Sequence, residues 1–261
     1  MTEIVQDSLE QRLRQRANPR HSLDTIPMDS QPHGNIPNTP LAASTISFLL
    51  GAVFSLGAAL FSCGGLAHPW WATYQLGFFL VAWSAFHWGE FAVTAGWNRE
   101  RCSVDSFLLD NGVTYHVANG SALVEYLITL YLVPSVKTFP YVSQLGLILA
   151  IGGQILRTTA MIHASTNFSH SVSLRKRESH KLVTDGVYSW SRHPSYAGFF
   201  YWALGTQLVL QNFICFFGFA VVLWRFFYRR TQVEESALVK FFGEDYEIYR
   251  RKVGTRIPFM P

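Results

Sequence analysis

From residue 30 to residue 89 the chain contains no Asp, Glu, Lys or Arg. That run is too long for one membrane crossing and sufficient for two at roughly 20 residues each. The CGGLAHP segment from Cys63 to Pro69 supplies the turn, so spans are predicted near Leu41 to Phe61 and Trp70 to Thr94. The next two apolar stretches, Ser121 to Val136 and Pro140 to Ala164, each carry one charge, Glu125 and Arg157, and bend between Pro134 and Pro140. A last pair, Pro194 to Leu210 and Phe213 to Tyr228, turns at Gln211 and Asn212, with each arm near the minimum length for crossing. The pattern predicts an all-α, polytopic integral membrane protein of about six transmembrane helices, ending in a helical hairpin.

Composition agrees: of 261 residues 49% are hydrophobic, 15% aromatic and only 15% charged, which excludes a soluble Rossmann enzyme and leaves no length for a separate soluble catalytic domain. Chemistry must come from loops and helix ends. Arg12, Arg14, Arg16 and Arg20 precede the first span and Arg99 and Arg101 follow the second, whereas the opposite loops carry only Lys137. Both termini and the motif-bearing segments are therefore expected in the cytosol. The same asymmetry accounts for the net charge of +4 without nucleic acid. Residues 1–40 read as a disordered cytosolic tail, 41–164 as four membrane spans, and 165–261 as the catalytic region. Cys63, Cys102 and Cys215 show neither a disulfide framework nor metal-ligand spacing.

Two polar clusters bracket the last hairpin. HKLVTDGVYSWSRHPSYAG begins at His180, and its Pro194 suits the first turn of the following helix, with Ser195 and Tyr196 beside the helix amides. Taken alone, this is equally an ordinary polar approach to a membrane helix, with Tyr188, Trp190 and Tyr196 as interface anchors. WRFFYRRTQVEES closes the hairpin, and Arg230 and Glu234, four apart, share a face if the helix continues. A surface ion pair is the plain reading; the other is a cation for an acidic substrate beside a carboxylate for a cationic cofactor. Arg157, in or near an apolar span, suggests a function or a buried partner; Glu125 is one candidate partner, and snorkelling to lipid headgroups is the alternative.

These blocks, with the terminal RRTQVEESALVKFFGEDYEIYRRKVGTRIPF and the upstream SFLLDNGVTYHVA, resemble the isoprenylcysteine carboxyl methyltransferase family, in its six-span fungal form. The resemblance is dense from about Asn167 to Phe259. It implies an endoplasmic reticulum enzyme that methylates the C-terminal prenylcysteine of processed CaaX proteins, such as small GTPases, with S-adenosylmethionine as donor. It also implies donor binding by His180, Lys181, Leu182, Val183, Tyr188, His193, Pro194, Ser195, Tyr196 and Glu234, with Arg230 facing the substrate. Ser173 stands where relatives usually carry a donor-contacting Gln.

The chemistry suits this inventory. An α-carboxylate with a reference pKa of about 3.3 to 3.7 is ionised at neutral pH and needs no general base. Arg230 and Glu234 are accordingly the catalytic candidates, Arg230 as a carboxylate clamp that fixes geometry. The prenyl chain is expected to reach the site sideways from the lipid. A phospholipid N-methyltransferase, a sterol reductase and a non-enzymatic membrane scaffold remain alternatives.

Overall fold

The computed structural model describes residues 34–64, 69–173, 175–176, 178 and 180–260. Among them the regular structure is entirely helical: α1 (Pro40–Cys63), α2 (Tyr74–Trp97), α3 (Val113–Leu132), α4 (Val142–Ala164), α5 (Pro194–Val209), α6 (Phe213–Phe242) and α7 (Glu244–Lys252), joined by short 3₁₀ turns. Thr39 and Thr73 cap the first two helices by accepting from the amides of Ala42 and Leu76. Three segments, Pro40–Cys63, Tyr74–Trp97 and Val142–Asn167, are long and apolar enough to cross a membrane. Two expected spans start and stop elsewhere. α3 begins eight residues before Ser121, and α6 runs 14 residues past Tyr228, carrying the second polar cluster out on a rigid helix.

The core is the antiparallel pair α4 and α5. A Cβ on Gly153 would lie 2.5 Å from the Gly198 carbonyl oxygen, and one on Gly205 would lie 2.4 Å from the Ala150 amide nitrogen. Small residues thus let two backbones meet, the packing expected where lipid removes the hydrophobic drive between helices. α1 and α2 use the same device at Gly57 and Gly77. Around this centre Phe78, Phe86, Ala150, Trp202, Ala203 and Val209 form the main buried cluster. Phe48, Ile148, Ile155, Phe213, Phe217 and Val221 point outward, as lipid-facing side chains do.

Glu125 does not partner Arg157. Its carboxylate accepts from the amides of Ile214 at 2.8 Å and Cys215 at 2.6 Å, capping the N-terminus of α6. Lys137 serves the other side of the same turn, donating to the carbonyls of Leu210 and Gln211 at 3.1 Å and to Asn212 Oδ1 at 2.9 Å. A carboxylate at a helix start and an ammonium at a helix end both oppose the helix dipoles favourably. The hairpin turn at Gln211 and Asn212 is thereby fixed, which sets the height of both polar clusters.

The predicted tail lies mostly outside the described residues, as does part of the predicted CGGLAHP turn. Residues 34–39, assigned to that tail, are tied down instead. The Gly34 and Asn35 amides donate to Asp105 and Asp110, and Asn38 Oδ1 accepts from Val104.

Candidate functional site

α5 begins as the sequence predicts, with His193 at the cap and Pro194 in the first turn. His193 also accepts the Tyr196 and Ala197 amides at its carbonyl, both at 3.0 Å. Ahead of it the chain is clamped to the C-terminal segment: the Arg192 amide donates to Gly254 O, and Ser191 Oγ donates to Thr255 O. Upstream, Gly186 has φ +53 and faces the His163 ring, which a Cβ would meet at 2.1 Å. Both features favour glycine there.

The extended α6 then lays its carboxylates along this loop. Glu235, 7% exposed, accepts from Arg192 Nε at 2.9 Å and lies 3.2 Å from His193 Nε2 and 3.7 Å from Arg250. Burial pushes its carboxyl upward, but the bond to His193 and the charges of His193 and Arg192 outweigh this and hold it below the ordinary range. Glu234 sits one position along, accepts from the Tyr196 hydroxyl and lies 3.7 Å from His193 Nδ1. Tyr196 stacks on His193 at 5.2 Å between centroids.

Arg230 and Glu234 share a helix face as predicted, yet they are not a direct pair. Arg230 Nε donates to the Tyr196 hydroxyl at 2.8 Å, and that hydroxyl donates on to Glu234. A second Arg230 nitrogen reaches the His170 carbonyl. The guanidinium is therefore held at a fixed angle, 5.4 Å from the Tyr196 ring centre.

One cavity brings together Lys181, Leu182, Val183, Tyr188, His193, Pro194, Ser195, Tyr196 and Glu234, all nominated from the sequence. Arg230, also nominated, is not in its lining and meets it only through the hydrogen bond to Tyr196. His180 and Ser173 do not line it. His180 Nε2 lies 3.4 Å from Arg101, and Ser173 donates to Arg175 O.

Sequence reasoning missed several lining or bracing residues. Arg192, Tyr246 and Tyr249 line the cavity, and Tyr249 donates to Tyr188 O at 2.5 Å. Beneath the cavity, Glu90 is 1% exposed and accepts from Arg157 at 2.5 and 2.8 Å, while His170 Nε2 lies 2.8 Å away. Arg157 also donates to Ser195 Oγ at 3.0 Å, so the buried pair steadies the first turn of α5. Glu90 is the first charge after the long uncharged run, and that position was the available signal. The Tyr246 hydroxyl is buried with no hydrogen-bond partner among the described residues.

The arrangement offers an aromatic-walled cavity with a carboxylate in its lining and a fixed guanidinium one hydrogen bond beyond Tyr196. Among the described residues no group of His, Cys, Asp or Glu is arranged to hold a metal. Comparison with known proteins gives a consistent result. The profile of the isoprenylcysteine carboxyl methyltransferase family matches residues 146–240. A Xenopus laevis protein-S-isoprenylcysteine O-methyltransferase is 44% identical over 77% of this chain and 70% of its own. Its Saccharomyces cerevisiae counterpart is 41% identical over 89% and 97%. The solved structure of a eukaryotic intramembrane Ras methyltransferase superposes with a TM-score of 0.79 at 38% identity, covering 84% of this chain and 77% of that one.

Proposed function

Because the chain belongs to the isoprenylcysteine carboxyl methyltransferase family, we propose that its cavity receives S-adenosylmethionine and that Arg230 presents the acceptor carboxylate at the cavity's edge. The protein is a membrane enzyme that methylates prenylcysteine on prenylated proteins. The observation that carries the site assignment is the chain from Arg230 through Tyr196 to Glu234. It joins a clamp for an anionic substrate to a carboxylate inside the cavity.

The residues present fit the proposed donor. Tyr188, Tyr196, Tyr249 and Phe242 give the cavity aromatic faces, and Glu234 gives it a carboxylate, a combination suited to a cationic, adenine-bearing ligand. The donor supplies an electrophilic methyl group when bound. The protein's task is then positional. Arg230, already fixed by Tyr196 and His170 O, holds a carboxylate by paired N–H donors, and the acceptor needs no base because it is ionised at neutral pH. His193 is committed to Glu235 and braces the cavity wall rather than moving protons.

Multi-pass topology follows if α3, α5 and α6 complete six crossings with the three segments described above. The Lys and Arg asymmetry then faces the cavity to the cytosol, and family membership suggests that the membrane is the endoplasmic reticulum. Prenylated small GTPases are suitable substrates there. The test is methyl transfer from labelled S-adenosylmethionine to N-acetyl-S-farnesylcysteine by the purified protein in detergent. Base-labile methyl ester is expected; label on ethanolamine phospholipid and none on the prenylcysteine would overturn the reading.

A further inference from the structure

The polar groups around the cavity are nearly all committed to one another. Glu235 is held by Arg192 and His193, Glu234 by the Tyr196 hydroxyl, and the Tyr188 hydroxyl donates to Ala160 O. Among the buried polar side chains described in its lining, Tyr246 is the exception. It lines the cavity from α7 and is 1% exposed, and its hydroxyl has no partner among the described residues. A buried hydroxyl left without a partner is unfavourable, and native proteins keep few of them. The surrounding groups explain why it goes unused. Burial first, then Glu235 and Glu234, push its pKa above the ordinary tyrosine value despite Arg192. The phenol therefore keeps its proton and remains a donor in search of an acceptor.

We propose that the Tyr246 hydroxyl binds the carboxylate at the amino-acid end of the methyl donor, while Glu234 takes the ammonium of that same end. The inference rests on the cavity holding S-adenosylmethionine. An α-amino acid carries its positive and negative groups on one carbon, so its receptor needs a carboxylate and a donor side by side. Glu234 and Tyr246 line the same cavity, from α6 and from α7. Of the two cations lining the cavity, Arg192 is already bonded to Glu235 and to the Val253 carbonyl, and Lys181 is exposed. A neutral phenol also suits the place, because a cation there would compete with the ligand's ammonium for Glu234.

The test compares wild type with Tyr246→Phe in detergent, using two probes: S-adenosylhomocysteine, and 5′-methylthioadenosine, which lacks the amino-acid end. The variant is expected to bind S-adenosylhomocysteine about tenfold more weakly, the effect of one hydrogen bond to a charged group. Its affinity for 5′-methylthioadenosine should match wild type. The ligand-free variant should melt no lower than wild type, since the hydroxyl removed had no partner, and this separates a ligand contact from a structural role. Unchanged affinity for S-adenosylhomocysteine would overturn the inference, and so would equal weakening toward both probes. Failure of wild type to bind either probe would overturn the cavity assignment, and this inference with it.

Discussion

Replacing Glu90 with Gln should be among the most damaging single changes outside the cavity, although only one oxygen becomes nitrogen. Glu90 is 1% exposed and Arg157 7% exposed. The carboxylate accepts two guanidinium bonds at 2.5 and 2.8 Å and faces His170 at 2.8 Å. Removing the charge leaves Arg157 buried and uncompensated, for which the expected loss is about 3–5 kcal/mol. For a chain of this size that lowers the melting midpoint by roughly 10 °C. The double variant Glu90→Gln/Arg157→Met carries no orphaned charge and should recover most of the midpoint. Its activity should stay low, because Ser195 at the head of α5 has lost the Arg157 contact. The measurement is thermal unfolding of the four proteins of the cycle in detergent, followed by tryptophan fluorescence. A Glu90→Gln midpoint within about 1 °C of wild type, or a double variant no more stable than the single one, would refute the reasoning.

Three further outcomes are expected. Glu235 has a folded pKa below its ordinary 4.5, so as pH falls the unfolded chain protonates first; its contribution is complete above about 4.5 and is lost as pH drops through the folded value. Glu235→Gln should therefore flatten the fall in melting midpoint between pH 6 and pH 3.5, and an unchanged slope would contradict this. Gly153→Val should destabilise by about 1–3 kcal/mol or prevent folding, since its Cβ meets Gly198 O at 2.5 Å, whereas Gly152→Ala, with nothing within 4 Å, should leave the midpoint in the same unfolding assay unchanged or slightly raised. Glu125→Ala should lose about 1 kcal/mol of stability by uncapping α6, with the KM for S-adenosylmethionine unchanged.

Much of this architecture was legible in the residues because lipid imposes simple rules. The charge-free run up to Gly89 marked α1 and α2, and Pro194 marked the start of α5 to the residue. The family resemblance also nominated nine residues that one cavity brings together. Charge pairing was not legible. Glu125 and Arg157 looked like partners because both interrupt apolar spans, but hydrogen-bonding demand at the ends of α5 and α6 claimed Glu125 and Lys137, and Arg157 found Glu90, 67 positions away. The Arg230 to Glu234 spacing was correct for a helix face, yet the link through Tyr196 depends on how α5 meets α6. α7 supplies Tyr246 and Tyr249 by a fold-back at Gly243, whose φ of +56 turns the chain toward the cavity. No periodicity announces such contacts.

The central claim is that Arg230 holds the acceptor carboxylate outside a cavity that binds the methyl donor independently. Its most direct test is Arg230→Ala, measured for both ester formation on N-acetyl-S-farnesylcysteine and affinity for S-adenosylhomocysteine. The variant should lose kcat/KM by roughly a hundredfold, as expected when one partner of a charged, hydrogen-bonded contact is truncated, with S-adenosylhomocysteine affinity near that of wild type. Retained ester formation, or an equal collapse of S-adenosylhomocysteine binding, would contradict it.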